Sequence, residues 1–459
     1  MPAGAAAHAA ALVALVLIPG MGAARTLRVP ATPGAAAAAL AQAGPGDTLR
    51  LAAGLHRGPL AIGRPVVVRG EPGAIVDGGG TGTVIRISAA GAAVEDLEVR
   101  ASGRRVITED SGVQVLSAGG VRLARLVLRD VLYGVYAERA PGLAVEDCRL
   151  SGRVHPLDES GEGNGVHLWY CEAPRVAGCD LSSFTDAIYL SFTTGARIVR
   201  CRLHDNGRYG LHTMYCPSGE LTGNLLTRNQ AGCAIMFSNH LLVERNDILH
   251  NRGPRTYGLL LRDCSDGEFR ENRLVDNTIA VFMDGSNRNR IAGNLLQDNG
   301  WGLFMFSSCA GNVTAGNSFI NDDYPVALDM KYTRNQFDDG HAGNYWSENA
   351  PYDLNADGVS DQPYSPVGAF AFLSKQYPDL AVLSKSPAVA ALAVAERVIP
   401  ALRPSEAVDR FPLVAPPRGA GRPRGPGLAS GGIAWPALAG FGALAALSLF
   451  GLSAARGRA

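Results

Sequence analysis

Apolar and polar positions repeat along this chain with a period of about 22 residues, and within each period two short runs alternate strictly. A small residue opens each coil: Gly112, Gly134, Gly165, Ala187, Gly210, Cys233, Gly258, Ala280 and Gly302. Successive openings lie 22, 31, 22, 23, 23, 25, 22 and 22 residues apart. The two wider gaps fall at about residues 153–163 and 251–256, where loops are inserted. A β-like run such as Val-Tyr-Ala, Val-His-Leu or Val-Phe-Met follows each opening, and a second apolar run comes about ten residues later. Successive side chains on a strand point to opposite faces, so each run contributes columns of stacked residues. A fixed period of this size is the mark of a solenoid. The fold expected is all-β: a right-handed parallel β-helix.

The columns carry finer expectations. An inward column reads Leu126, Cys148, Cys179, Cys201, Asn224, Asn246, Asn272, Asn294 and Asn317. A lone buried asparagine is costly, whereas stacked asparagines can bond from one coil to the next. A second column, Asn206, Asn229, Asn251, Asn277, Asn299 and Asn321, closes each coil, because asparagine tolerates the left-handed geometry of a tight corner. Pro33 to Ala43 predicts a short Ala-rich helix capping the exposed first strands.

The flanks differ from this body. Residues 1–24, with the apolar run Ala9 to Ile18 and small residues before Arg25, read as an export signal. Residues 25–82 form the N-terminal cap and first coils, 83–345 the main β-helix, and 346–385 a loop-rich end cap. Residues 386–414 carry a helical segment in which Val389, Leu392, Val398 and Leu402 are available to a partner. A Pro/Gly/Arg linker spans 415–432, and 433–455 holds no charge. That last stretch is long enough, at 1.5 Å per residue, to cross a ~30 Å apolar core, with its Arg-containing tail left in the cytoplasm.

Composition narrows the function. The chain has 42 basic and 42 acidic side chains, so no basic surplus exists to offset nucleic-acid phosphates. Eight cysteines in an exported chain raise the question of disulfides. Cys171, Cys216 and Cys264 share a column two coils apart, ~10 Å and beyond bonding reach. Cys148, Cys179 and Cys201 stack inward as core, and pairing of Cys171 with Cys179 stays open. Met236, Met283 and Met305 read as inward fillers three residues past their openings. His167, Tyr189 and His212 fall in an outward column, with Met214 on the same face as His212. Histidine and methionine suit a cuprous ion, although outward His and Met also occur as ordinary surface.

A second cation signal is Asp353, Asn355, Asp357 and Asp361 around Gly358, the spacing of a calcium loop with Tyr364 where the last carboxylate would stand. A plain Asx-turn loop accounts for it equally. Cofactor loops of the Walker and dinucleotide kinds, a nucleophile elbow and a zinc-protease motif are all missing. Arg262, Asp284, Asp329 and Lys331 make one outward polar group that paired-acid sugar chemistry could use.

Residues 26–415 resemble the NosD accessory proteins of nitrous oxide reductase maturation. The most specific stretches are Ala-Leu-Asp-Met-Lys-Tyr-Thr-Arg-Asn at 327–335, Gly-Asn-Tyr-Trp-Ser-Glu at 343–348 and Tyr-Asp-Leu-Asn-Ala-Asp-Gly at 352–358. The segments 386–397 and 409–413 match as well. The resemblance implies a non-catalytic periplasmic scaffold for assembly of the reductase's copper–sulfur centre. Its implied partners are the membrane and ATPase subunits of an ABC transporter, a copper chaperone and the reductase itself. The competing expectation is an exported carbohydrate-binding or polysaccharide-cleaving β-helix.

Overall fold

A computed structural model describes residues 24–155, 162–329, 332–377, 380, 383, 386–399 and 407–417. The expected export signal, the end of the helical segment, the linker and the 433–455 span lie outside them. Among the described residues, no helix is long and apolar enough to cross a membrane.

The body is a parallel β-solenoid whose strands form three sheets. The first sheet has 13 strands, from Thr26–Val29 to Val313–Ala315; the second has 12, from Leu60–Ile62 to Tyr324–Leu328; the third has 13, from Gly54–Arg57 to Tyr345–Trp346. Every pairing within them is parallel and joins one coil to the next, as in Val135↔Val166↔Ile188↔Leu211. In-register stacking explains the repeat: whatever suits a column in one coil suits it in the next. Val94, Leu123, Val145, Val176 and Ile198 thus line the interior of the first sheet with no exposed area. Each such side chain contributes roughly 1.5–3 kcal/mol by leaving water.

Both ends are sealed. Helix α1 (Ala35–Gln42) lies over the first coil, with Ala36 and the following Ala43 buried. At the other end Trp346 stacks on Phe319 with ring centres 4.3 Å apart. Its indole Nε1 donates to the buried Asp409 carboxylate at 2.8 Å, tying residues 407–417 to the last coil. Helices α2 (Ala369–Gln376) and α3 (Pro387–Val398) follow the last strand of the second sheet, and the Ser386 hydroxyl accepts from the Val389 amide to start α3. Beside them lies a cavity of about 540 Å³ lined by Tyr324, Val367, Phe370 and Val389. Val389 and Leu392 are half-buried. The Val398 side chain and Leu402 lie outside the described residues.

The asparagine columns are continuous. From Asn224 through Asn246, Asn272, Asn294 and Asn317 to Asn344, each backbone N–H and each side-chain Nδ2 donates to the next Oδ1 at 2.9–3.1 Å. The corner column runs from Asn206 to Asn299 and ends on Asp322, whose Oδ1 accepts from Asn299 at 2.8 Å. Asn321, expected in that place, sits one residue off with φ at 53°. A third column, Asn289, Asn312 and Asn335, is bonded in the same way.

Register corrects one more expectation. Gly232, adjacent to Cys233, stands opposite Gly210, and a Cβ on Gly210 would meet the Gly232 carbonyl at 2.7 Å. Cys233 itself pairs with Leu211 and points inward. Shifting a strand by one residue exchanges its faces. Met236 therefore pairs with Met214 and points outward, while Met283 and Met305 are fully buried inside. All eight cysteines are unpaired and buried, so none forms the disulfide left open for Cys171 and Cys179.

Candidate metal centre on the second sheet

The outward face of the second sheet is covered by its own side chains. One column reads Tyr136, His167, Tyr189, His212, Ala234, Leu260, Phe282 and Phe304. The next outward column reads Glu138, Trp169, Ser191, Met214, Met236, Arg262 and Asp284. Aromatic neighbours bury what alternation alone places at the surface. His212 is 6% exposed, and Ala234, Leu260 and Phe282 form an apolar cluster of their own with Met236 packed on it.

His212 lies on the strand Tyr209–Met214, between the rings of Tyr189 and Tyr209, with centres 4.8 and 4.9 Å away. Its Nδ1 is 3.0 Å from Asp186 Oδ2. Asp186 is completely buried and also accepts from Arg208 Nε and Nη2 at 2.9 and 2.7 Å. Burial opposes the Asp186 charge, but the His212 and Arg208 hydrogen bonds outweigh it and hold the carboxyl below its ordinary range. The other imidazole nitrogen, Nε2, is buried with no hydrogen-bond partner. Met214 lies two residues further on the same face, and its sulfur accepts from the Tyr189 hydroxyl at 3.5 Å.

His167 is separate from this group. It sits two strands from His212 with the Tyr189 ring between them, at 4.7 Å on one side and 4.8 Å on the other. Its Nδ1 meets Asn164 Nδ2 at 3.1 Å, and burial lowers the imidazole pKa to about 4, leaving it neutral. Of the three residues singled out for copper, His212 and Met214 share one face of a single strand, two residues apart, and His167 stands two strands away.

The acidic loop has its own internal bonding. Asp353 accepts from the Asp357 and Gly358 amides, Asp357 from Val359, and Asp361 from Leu354. Asn355 donates to Asp357 at 2.9 Å. Among the described residues, no three His, Cys, Asp or Glu side chains gather as a metal-binding group. Asp284 is engaged by the Ser308 hydroxyl at 2.9 Å and lies 3.8 Å from Arg262, and Asp329 accepts from Ser307. Lys331 lies outside the described residues.

Beside the two outward columns runs an exposed aromatic row: Tyr170, Phe192, Tyr215 and Phe237, stacked at 4.9–5.0 Å. All four have φ between 49° and 56°, where bulky residues are rare.

Residues 151–350 match the protein-family model for "Periplasmic copper-binding protein (NosD)". Over 388 residues the chain is 31% identical to the "Probable ABC transporter binding protein NosD" of Pseudomonas aeruginosa, covering 81% of this chain and 89% of that one. The chain is a member of the NosD family. A relative of the same description from Stutzerimonas stutzeri is 26% identical over 384 residues, 80% of this chain and 87% of that one. Among solved structures, the A-module of a mannuronan C-5 epimerase from Azotobacter vinelandii aligns with a TM-score of 0.50 at 15% identity, over 67% of this chain and 92% of that chain. That likeness is one of fold alone. The donor types fit the family's metal: a buried imidazole nitrogen with no hydrogen-bond partner, on the strand face that also carries a thioether, is of the kind a cuprous ion takes.

Proposed function

We propose that this NosD-family protein is a non-catalytic periplasmic scaffold that receives copper as cargo for the copper–sulfur centre of nitrous oxide reductase. One observation carries the reading: His212 Nε2 is buried and unpartnered on the face that bears Met214. Buried polar atoms are nearly always paired, so an orphan next to a soft donor is a place prepared for a ligand. Its partners in this role are an ABC transporter, whose ATPase lies in separate subunits, a copper chaperone that loads the site, and the reductase that receives the metal. The 433–455 segment would hold the exported body at the inner membrane.

The test is genetic and spectroscopic. In a denitrifying host lacking its own copy, the reductase is expected to accumulate without its copper–sulfur absorption bands. Wild-type chain should restore them, and the double variant His212→Ala/Met214→Ala should not. Restoration by the double variant to the wild-type level would contradict the reading.

A further inference from the structure

We propose that Met236 completes a three-donor cuprous site with His212 and Met214, and that Asp186 acts as its positioning residue. The inference rests on the copper reading above and specifies its chemistry. On two neighbouring strands, His212 pairs with Ala234 and Met214 pairs with Met236. Strand neighbours lie ~4.8 Å apart and next-but-one residues share a face, so the four side chains mark the corners of one small outward patch. Three corners carry donors. The fourth, Ala234, is fully buried and carries only a methyl group, the smallest side chain that the outward column could place between them.

The imidazole is prepared for this task. His212 Nδ1 lies 3.0 Å from Asp186 Oδ2, an arrangement that favours the proton on Nδ1 and turns Nε2 to a ligand. A carboxylate behind a histidine is the usual way a metal-binding ring is oriented and made more basic. Arg208 holds the same carboxylate in a two-pronged pair. The Tyr189 hydroxyl bond to Met214 sulfur and the packing of Met236 on the Ala234 cluster fix the thioethers. Two of the three donors are thioethers, so the site selects a monovalent soft ion over zinc or cupric ion. Binding is ligation alone, and the ion stays cuprous.

The experiment loads the full chain anaerobically with one equivalent of cuprous ion and records the copper X-ray absorption spectrum. Wild type is expected to show two sulfur scatterers and one nitrogen. Met236→Leu should lose one sulfur, whereas Met283→Leu, inside the core, should leave the spectrum unchanged. Asp186→Asn should lose the nitrogen while keeping both sulfurs, with affinity lowered roughly 10–100-fold. That loss of one scatterer is something a merely structural role would not produce. If Asp186→Asn fails to fold, the Met236→Leu spectrum still decides. Bound copper without sulfur, or a Met236→Leu spectrum identical to wild type, overturns the site while leaving copper delivery standing. No cuprous binding at all overturns both.

Discussion

Two polar regions of this solenoid are buried, and they are treated in opposite ways. Inside, the Asn224 to Asn344 column satisfies its stacked N–H groups and amides within the chain, down to Asn344 Nδ2, which donates to the Thr314 and Phe337 carbonyls. Outside, on the second sheet, His212 is almost as deeply buried yet keeps one nitrogen without a partner. The first region is complete and can only support the fold. The second is incomplete, and the proposed copper site is built on that open nitrogen.

The comparison breaks most visibly if the inner ladder proves dispensable. Replacing Asn272 by Leu preserves volume but orphans the Asn246 backbone amide, takes one of the two acceptors from Asn246 Nδ2, which keeps the Leu221 carbonyl, and removes the donor to the Val243 carbonyl. At about 1–3 kcal/mol for the orphaned amide and about 0.5–1.5 kcal/mol for each of the two other lost bonds, a loss of about 2–6 kcal/mol is expected by denaturant unfolding. Met214→Leu on the outer patch, close to a volume-conserving exchange, should cost less than about 1.5 kcal/mol.

Asp322 sharpens the contrast, because it ends the corner column with one satisfied oxygen and one buried, unpartnered oxygen. Burial raises its pKa to about 7, against the hydrogen bonds from Asn299. Its folded pKa thus exceeds its unfolded value, so the folded chain takes up a proton as pH falls through 7, before the unfolded chain does near 4. The destabilisation from this carboxylate is full above about pH 7 and fades toward pH 4. Asp322→Asn should continue the ladder, raise stability at pH 8, and converge with wild type near pH 4, as read by thermal unfolding across that range. Equal stability of the two proteins at pH 8 would show that the column tolerates a charge.

The smallest effect is expected at the outer aromatic row. Tyr215→Asn loses stacking worth about 0.5–1.5 kcal/mol but suits the left-handed corner better, so the net change should fall within about 1 kcal/mol. Cuprous binding should be unaffected, because Tyr215 lies outside the His212–Met214–Met236 patch. Altered binding would move the site toward the aromatic row.

Much of this was legible before any coordinates. Parallel in-register stacking writes the same residue into the same column, so the repeat, the asparagine ladder and the core cysteines could be read directly. The family followed from residues 327–413, whose motifs are less periodic than the coils. Two small adjacent residues, Gly232 and Cys233, defeated the reading at one coil, since size alone does not choose between them. The strand pairing of Leu211 with Cys233 fixes that register, and a Cβ on Gly232 would meet the Gly258 carbonyl at 2.7 Å, so a glycine suits the place. The slip moved Met236 from the outward patch into the core and hid the proposed third donor. A similar one-residue ambiguity exchanged Asn321 for Asp322. Burial of the outward column was also illegible, because alternation tells which way a side chain points and not whether its neighbours cover it.

The most direct measurement is a competition titration of the chain against a calibrated cuprous chelator, under reducing conditions, for wild type and His212→Ala/Met214→Ala. The account predicts one tightly held cuprous ion in the wild type and none able to compete in the double variant. Equal stoichiometry and affinity in the two proteins would place copper elsewhere and contradict it.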